Sequence, residues 1–416
     1  MTISEEAPFR TWAPQAPMGW NSWDCFGASV TEAEVKANAD YVASHLKTFG
    51  YDYIVVDIQW YEATADSAVY HPFADLTMDD QGRLQPAPNR FPSAQNGQGF
   101  TALAAYVHGL GLKFGIHILR GIPRQAVHRD LVVAGGARAR DIADNNICPW
   151  NSDMYGLNMD QPGAQAYYDS MIAMYAAWGV DFLKVDDIAN SRLYGTMRPE
   201  IAALRRAIDR SGRPIVLSLS PGPTEIEDGA FMQRHANMWR LTDDFWDTWQ
   251  LLRDVFPVAA KWAPFVQAGT WPDPDMLPLG AVRQRALDDS TNIPHSRFTD
   301  NEAKTMLTLW SLLRAPLFLG GDLTKSGTEE MLYTNQDLLA MRAAITGAWE
   351  ESASSDWVIW HAVSANAGYT ACFNLSDTSL NAKVPDQATE LWTHTKLTAA
   401  TIEVPAHGVA LFAQPQ

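Results

Sequence analysis

The sequence predicts a (β/α)8 barrel over residues 1–345, followed by a C-terminal antiparallel β-sandwich over 346–416. Three observations predict it. Short apolar runs alternate with longer amphipathic segments along most of the chain, the pattern of parallel strands joined by helices. The runs are apolar on both faces, as strands covered by helices are. Polar residues stand at the C-terminal ends of successive strand candidates: Asp57, His117, Asp186, Ser220 and Asp244. A closed barrel gathers those ends at one mouth, whereas an open doubly wound sheet spreads them along an edge.

The elements follow in order. Residues 31–48 read as a helix opened by a Thr31 cap, and Y-D-Y-I-V-V-D (51–57) as a strand. F-T-A-L-A-A-Y-V-H-G-L (100–110) and L-K-F-G-I-H-I (112–118) are the next helix and strand. An inserted loop of about 119–162 precedes a helix over 164–178 and the strand V-D-F-L-K-V-D (180–186). The unit recurs at 198–210 with P-I-V-L-S-L-S (214–220), and at 225–235 with N-M-W-R-L-T (237–242). A helix over 301–313 leads to P-L-F-L-G-G (316–321). From about 347 the helices stop. W-V-I-W-H-A-V, Y-T-A-C-F-N-L and G-V-A-L-F-A are separated by turn formers, as in a small sandwich. A connection as long as 119–162 is uncommon unless it shapes a pocket or a subunit contact, which leaves a homo-oligomer open.

Composition excludes some partners. No apolar stretch approaches the roughly 18 residues of a membrane span. A net charge of −17 repels phosphate backbones and anionic lipid, so neither nucleic acid nor membrane is expected as a partner. Three cysteines, Cys25, Cys148 and Cys372, make an odd, sparse set that suits a reducing compartment. The opening M-T-I-S-E-E-A-P carries acid where a secretory signal carries base. Together they predict a cytoplasmic protein. Sixteen tryptophans offer flat faces for sugar rings, although ordinary packing accounts for most of them.

Two segments carry chemistry. In V-D-F-L-K-V-D-D (180–187), Lys184 and Asp186 lie two apart on a strand and share a face. Facing the lumen, the lysine holds the aspartate ionised, as a covalent nucleophile requires. A structural ion pair, with Asp187 as a helix cap, is the bland alternative. In W-R-L-T-D-D-F-W-D (239–247), Arg240 offers a fork of donors for hydroxyls. Asp243 or Asp244 is a proton donor, unless Thr242 and the aspartates merely cap a helix. Two carboxylates on separate strands of one barrel are what glycoside hydrolysis needs.

The chain resembles glycoside hydrolase family 27, the family of α-galactosidases, α-N-acetylgalactosaminidases and β-L-arabinopyranosidases. P-M-G-W-N-S-W-D (17–24) is similar to its N-terminal signature, L-K-F-G-I-H (112–117) to its L-K-x-G-I-Y strand and F-L-K-V-D-D (182–187) to the nucleophile segment. W-R-L-T-D-D (239–244) is similar to the R-x-x-x-D acid/base segment, which selects Asp244. W-P-D-P-D-M-L (271–277) and L-W-S-L-L-R-A-P-L-F-L-G-G-D-L (309–323) resemble later motifs in the right order. The resemblance implies a retaining exo-hydrolase of terminal α-linked galactose-type sugars. Asp186 is then the nucleophile and Asp244 the acid/base. Lys184 and Arg240 bind ring hydroxyls, Asp57 serves the C4 and C6 hydroxyls, Trp20 floors the pocket and Asp275 lies near the sugar. His117, Ser220 and Asp187 stand at further positions expected to bind the substrate. No metal or organic cofactor is implied, and the partner is a small-molecule or oligosaccharide substrate.

The departures bear on substrate. Ile58 replaces the second of two adjacent aspartates, and isoleucine cannot receive a C6 hydroxyl. Leaving that hydroxyl buried and unpaired costs about 1–3 kcal/mol, which points to a sugar lacking it such as L-arabinopyranose, unless Gln59 or Glu62 compensates. Ser220 takes the place of a larger residue near C2, making room for an acetamido group. His117 replaces a tyrosine, and Ile188 replaces a cysteine of the family's disulfide. Arg120 and Arg124, expected near the mouth, either bridge within the inserted loop or recognise an acidic galactoside. Two other classes remain: a non-catalytic carbohydrate-binding relative, against which both aspartates speak, and an unrelated metal-dependent barrel enzyme using His117, Asp57 and Asp186.

Overall fold

A computed structural model describes residues 7–286 and 293–415; the opening M-T-I-S-E-E lies outside them. Eight strands are followed in turn by eight helices. The strands are β1 Met18–Asn21, β2 Tyr53–Val56, β3 Lys113–Leu119, β4 Phe182–Asp186, β5 Val216–Leu219, β6 Met238–Arg240, β7 Trp271–Asp273 and β8 Leu317–Leu319. The helices are α1 Glu32–Tyr41, α2 Thr101–Gly109, α3 Pro162–Trp178, α4 Arg198–Ser211, α5 Gly229–His235, α6 Trp249–Trp262, α7 Asp300–Leu312 and α8 Gln336–Ala344. The strands pair in parallel in the order β7-β6-β5-β4-β3-β2-β1-β8. The sheet closes where Leu277, just beyond β7, bridges Leu319 of β8. There the Leu277 N–H donates to the Phe318 carbonyl at 2.7 Å, and its carbonyl accepts from Gly320 at 3.0 Å. This is the expected (β/α)8 barrel.

Local chemistry explains the elements. Thr31 and Glu34 form a reciprocal capping box that starts α1, and the helical path continues through a π turn (42–46) and a 3₁₀ turn (47–49). Thr299 and Glu302 do the same for α7. Four elements have no counterpart in the sequence periodicity. β1 (M-G-W-N) and β7 (W-P-D) have no two apolar residues in succession, so no apolar run marks them. α6 carries Pro257 inside it, and α8 is nine residues.

Along each strand alternate residues face the lumen. Tyr53, Val55, Phe182, Val216, Met238, Trp271 and Phe318 pack together inside the barrel. A Cβ on Gly19 of β1 would run into Tyr53, so glycine is what lets these side chains fill the centre. The intervening residues, Met18, Trp20, Ile54, Val56, Leu183, Val185 and Leu217 among them, belong to the core beneath the helices. Counting on by twos from the inner layer leads to the mouth: Val55 to Asp57, Phe182 to Lys184 and Asp186, Val216 to Ser220, Met238 to Arg240, Trp271 to Asp273 and Asp275.

The inserted loop has structure of its own. Ile122–Pro123, Met154–Leu157 and Ala143–Asp144 form a small antiparallel sheet with the second strand central. After α8 the chain continues as β9 Gly347–Ala353, β10 Trp357–Val363, β11 Ala367–Asn374, β12 Leu380–Lys383, β13 Thr389–Glu390, β14 Thr395–Lys396, β15 Thr401–Val404 and β16 Val409–Pro415. Six of them pair in the order β9-β10-β11-β16-β13-β14, and β12 pairs with β15. Strand alternation gives the larger sheet two apolar faces. Val358, Trp360, Ala362 and Phe373 join the barrel's outer core. Cys372, Ala410 and Phe412 pack on Ala382 and Val404 of the smaller sheet, which makes the C-terminal sandwich.

Candidate active site

Parallel strands put their polar ends at one mouth, where a cleft of about 200 Å³ opens. Asp57, directly after β2, is fully buried and accepts from Asn21 Nδ2 at 2.8 Å and Lys184 Nζ at 2.9 Å. Burial alone would raise its pKa. The positive charges of Lys184 and His117 outweigh burial and the repulsion of Asp186, holding the carboxyl below its usual range. Lys184 in turn stays firmly protonated: burial disfavours its charge, but Asp57 and Asp186 more than offset it.

Asp186 ends β4 with its side chain 14% exposed to the cleft. One carboxyl oxygen accepts from His117 Nε2 at 2.8 Å, the other from the Ser220 hydroxyl. Burial pushes its pKa up. The charges of Lys184 and His117 and the two hydrogen bonds pull harder, leaving the carboxyl well below the ordinary range. The result is an ionised carboxylate fixed at both oxygens.

A second cluster faces it. Arg240 ends β6, with Nη2 at 2.5 Å from Asp275 Oδ2, 3.2 Å from Asp244 Oδ1 and 2.9 Å from the Asp243 carbonyl. Asp275 also accepts from the backbone N–H groups of Phe245 and Met276, so it orients Arg240 and the loop bearing Asp244 together. Burial and the charges of Asp244 and Asp273 push the Asp275 carboxyl up to about 7 against the pull of Arg240. Asp244 stands at the rim, 59% exposed. Asp243, its neighbour, is paired to Arg192 at 2.8 Å.

The structure therefore brings Asp57, Lys184, Asp186, Arg240, Asp244 and Asp275 around one cleft, and it corrects other expectations. Trp20 does not floor the pocket. It faces outward from β1, fully buried, and donates from its indole to the Gly321 carbonyl at 2.8 Å; the tryptophan of that motif that lines the cleft is Trp23. His117 is fully buried behind Asp186 and Ser220 is spent on the same carboxylate, so both position the carboxylate rather than line the cleft, where Pro221 stands instead. Arg120 is not at the mouth. It is buried and pairs with Asp187 at 2.8 Å and Glu200 at 3.0 Å, which also assigns Asp187 to structure. Arg124 donates to the Ser152 carbonyl at 2.7 Å and stacks 4.4 Å over Tyr155, inside the insertion.

Several cleft residues escape sequence reasoning. Trp23, Tyr70 and Trp150 form an aromatic wall, with centroids 5.9 and 5.7 Å apart in turn. Tyr70 and Trp150 come from long loops after β2 and β3, where no period marks a residue as facing the site. Trp23 had a signal, standing three residues from Trp20 in the same motif. Among the described residues, no group of three or more His, Cys, Asp or Glu is arranged to hold a metal ion, and Cys25, Cys148 and Cys372 are buried free thiols.

A (β/α)8 barrel whose mouth gathers a pinned, ionised carboxylate, a rim carboxylate and the cations Lys184 and Arg240 around one cleft is a glycoside hydrolase of the galactosidase type. Comparison with known proteins narrows this further. The family described as Alpha galactosidase A matches residues 15–158 and 152–344. The chain is 49% identical to a family 27 β-L-arabinopyranosidase of Geobacillus stearothermophilus solved with arabinose, with a TM-score of 0.96 over 98% of this chain and 99% of that one. It is 27% identical over 408 residues to an alpha-galactosidase of Cyamopsis tetragonoloba, covering 94% of this chain and 82% of that one. It is 28% identical over 398 residues to alpha-galactosidase 2 of Arabidopsis thaliana, covering 91% and 82%. The chain belongs to glycoside hydrolase family 27.

Proposed function

We propose that the chain is a retaining exo-glycosidase whose preferred terminal sugar has the galactose configuration without the hydroxymethyl group, that is, a β-L-arabinopyranoside. The observation that carries this reading is Ile58. It lines the cleft beside Asp57, where the C6 hydroxyl would need a partner. Neither candidate for compensation lines the cleft, whereas Ile58 does; Gln59 donates to Asp153, and Glu62 accepts from Thr64 and lies against His71. An α-D-galactoside fits the same stereochemistry but leaves its C6 hydroxyl against a hydrocarbon wall. The arabinopyranosidase relative supports the same choice. The acidic reading loses its residues, because the Arg120 and Arg124 side chains are engaged elsewhere.

In this mechanism Asp186 attacks the anomeric carbon while Asp244 donates a proton to the leaving oxygen, breaking the glycosidic bond and leaving an ester. Asp244 then takes a proton from water, which attacks the same carbon and releases Asp186. Two inversions give retention. A panel of nitrophenyl glycosides tests the sugar, with β-L-arabinopyranoside expected to exceed α-D-galactoside in kcat/KM. Ile58→Asp should shift that ratio toward galactoside by about tenfold or more; an unchanged ratio counts against the reading. Asp186→Asn should abolish turnover, and proton NMR should show the first product with the substrate's anomeric configuration. The three buried thiols support a reducing, cytoplasmic location; recovery of the protein from the secreted fraction of its source cells would contradict that.

A further inference from the structure

Asp24 has no part in the mechanism above. It lies one residue beyond Trp23, in the short helical turn Trp23–Phe26 that follows β1. It lines the cleft while only 4% exposed. Its Oδ2 is buried and has no hydrogen-bond partner among the described residues. A carboxyl in such a place is costly unless something supplies a partner. The surroundings are shaped for it: a Cβ on Gly320, the residue after β8, would overlap the carboxyl, and the Arg283 N–H holds the Asp24 carbonyl at 2.6 Å. Burial, then the charge of Asp275, with Asp244 and Asp57 adding to it against Lys184, push the carboxyl well above its usual range. The favoured form is the neutral acid, which donates as well as accepts.

Barrel closure fixes which part of a sugar Asp24 meets. With eight strands closed through Leu277 and Leu319, β8 lies four strands from β4 in either direction. The carboxyl packed on Gly320 is therefore across the mouth from Asp186. In a pyranose ring C4 lies opposite C1, so a sugar with C1 at Asp186 turns its C4 edge toward Asp24. We propose that Asp24 is a substrate-binding residue that hydrogen-bonds the C4 hydroxyl of the bound sugar and so selects its axial configuration. This rests on the reading of Asp186 as nucleophile toward a galactose-configured sugar.

The experiment compares wild type, Asp24→Asn and Asp24→Ala on nitrophenyl β-L-arabinopyranoside and its 4-deoxy analogue, with thermal unfolding of each protein. Asp24→Ala should lose about tenfold or more in kcat/KM on the parent substrate. It should lose far less on the 4-deoxy analogue, because contacts to one group are not additive. Asp24→Asn, which still donates and accepts, should retain most activity. Both variants should unfold at or above the wild-type temperature, since a buried carboxyl oxygen with no partner among the described residues has been removed. Equal losses on the two substrates, or variants that unfold earlier, would overturn the assignment and make Asp24 a packing residue. If the wild type turned over neither arabinopyranosides nor galactosides, the parent reading would fall and this one with it.

Discussion

At the scale of single residues, the site works by setting one carboxylate apart from the others. Asp186 accepts from His117 and Ser220 and lies beside Lys184, so its ionised form is favoured against burial. An ordinary aspartate titrates near 3.9, and this one lies lower. A nucleophile is lost when protonated, so the acid limb of kcat/KM set by Asp186 lies below that value in the wild type. His117→Phe removes a hydrogen-bond donor to the carboxylate, which raises the Asp186 pKa and moves the acid limb to higher pH. A limb that stays put, with only kcat reduced, would show that His117 merely fills space. The same depression has a stability counterpart. Asp57 and Asp186 contribute stability that is present above about pH 4 and is lost as the pH falls through their lower folded values. The part of Lys184 was legible in its two-residue spacing from Asp186; the parts of His117 and Ser220 were not. His117 and Ser220 look like sugar ligands from strand position, because strand ends converge, yet their hydrogen-bonding capacity is used by the neighbouring strand.

At the scale of elements, the insertion is tied to the catalytic strand through a buried cation. Arg120 leaves β3 and pairs with Asp187, next to the nucleophile, and with Glu200 on α4, while also donating to Asn146 in the insertion. Breaking such a buried pair leaves carboxylates uncompensated, at a cost of about 3–5 kcal/mol. Arg120→Ala should lower the unfolding temperature and expose residues 121–158 to limited proteolysis before the barrel is cut. Its activity should fall equally on neutral and acidic glycosides, since Arg120 does not line the cleft; a selective loss on uronides would reinstate recognition of an acidic sugar. The long amphipathic helices and apolar strands were readable because packing repeats along them. β1 and β7 were not, because Gly19, Asn21, Pro272 and Asp273 break their apolar runs, and neither was the four-residue turn holding Asp24.

At the scale of the whole molecule, the sandwich is built onto the barrel rather than hung from it. His407 stacks on Trp249 of α6 with centroids 4.0 Å apart and bridges Glu302 of α7 at 2.8 Å and Asp377 at 2.9 Å. Phe256 of α6 meets Phe373 edge to face at 5.0 Å, and the Trp392 indole donates to Thr308 at 3.1 Å. These contacts make one continuous core. Calorimetry should therefore record one cooperative transition, and a chain ended at residue 345 should aggregate through the bared faces of α6 and α7. Two resolved transitions, or a soluble, active truncation, would show that the parts are independent.

The sequence by itself determined the barrel and its capping sandwich, the strand ends that bear carboxylates, and the position at which a polar acceptor is replaced by Ile58. The first two follow from short-range rules, alternation along strands and helical repeat; the third rests on the resemblance to family 27. Only the tertiary structure decided which of those residues meet. It turned Trp20 outward by one step of strand parity, enclosed Arg120, gave His117 and Ser220 to Asp186, and set Asp24 across the mouth from the nucleophile. Those outcomes depend on barrel closure, which fixes the distance between residues hundreds of positions apart, and no local pattern encodes that distance.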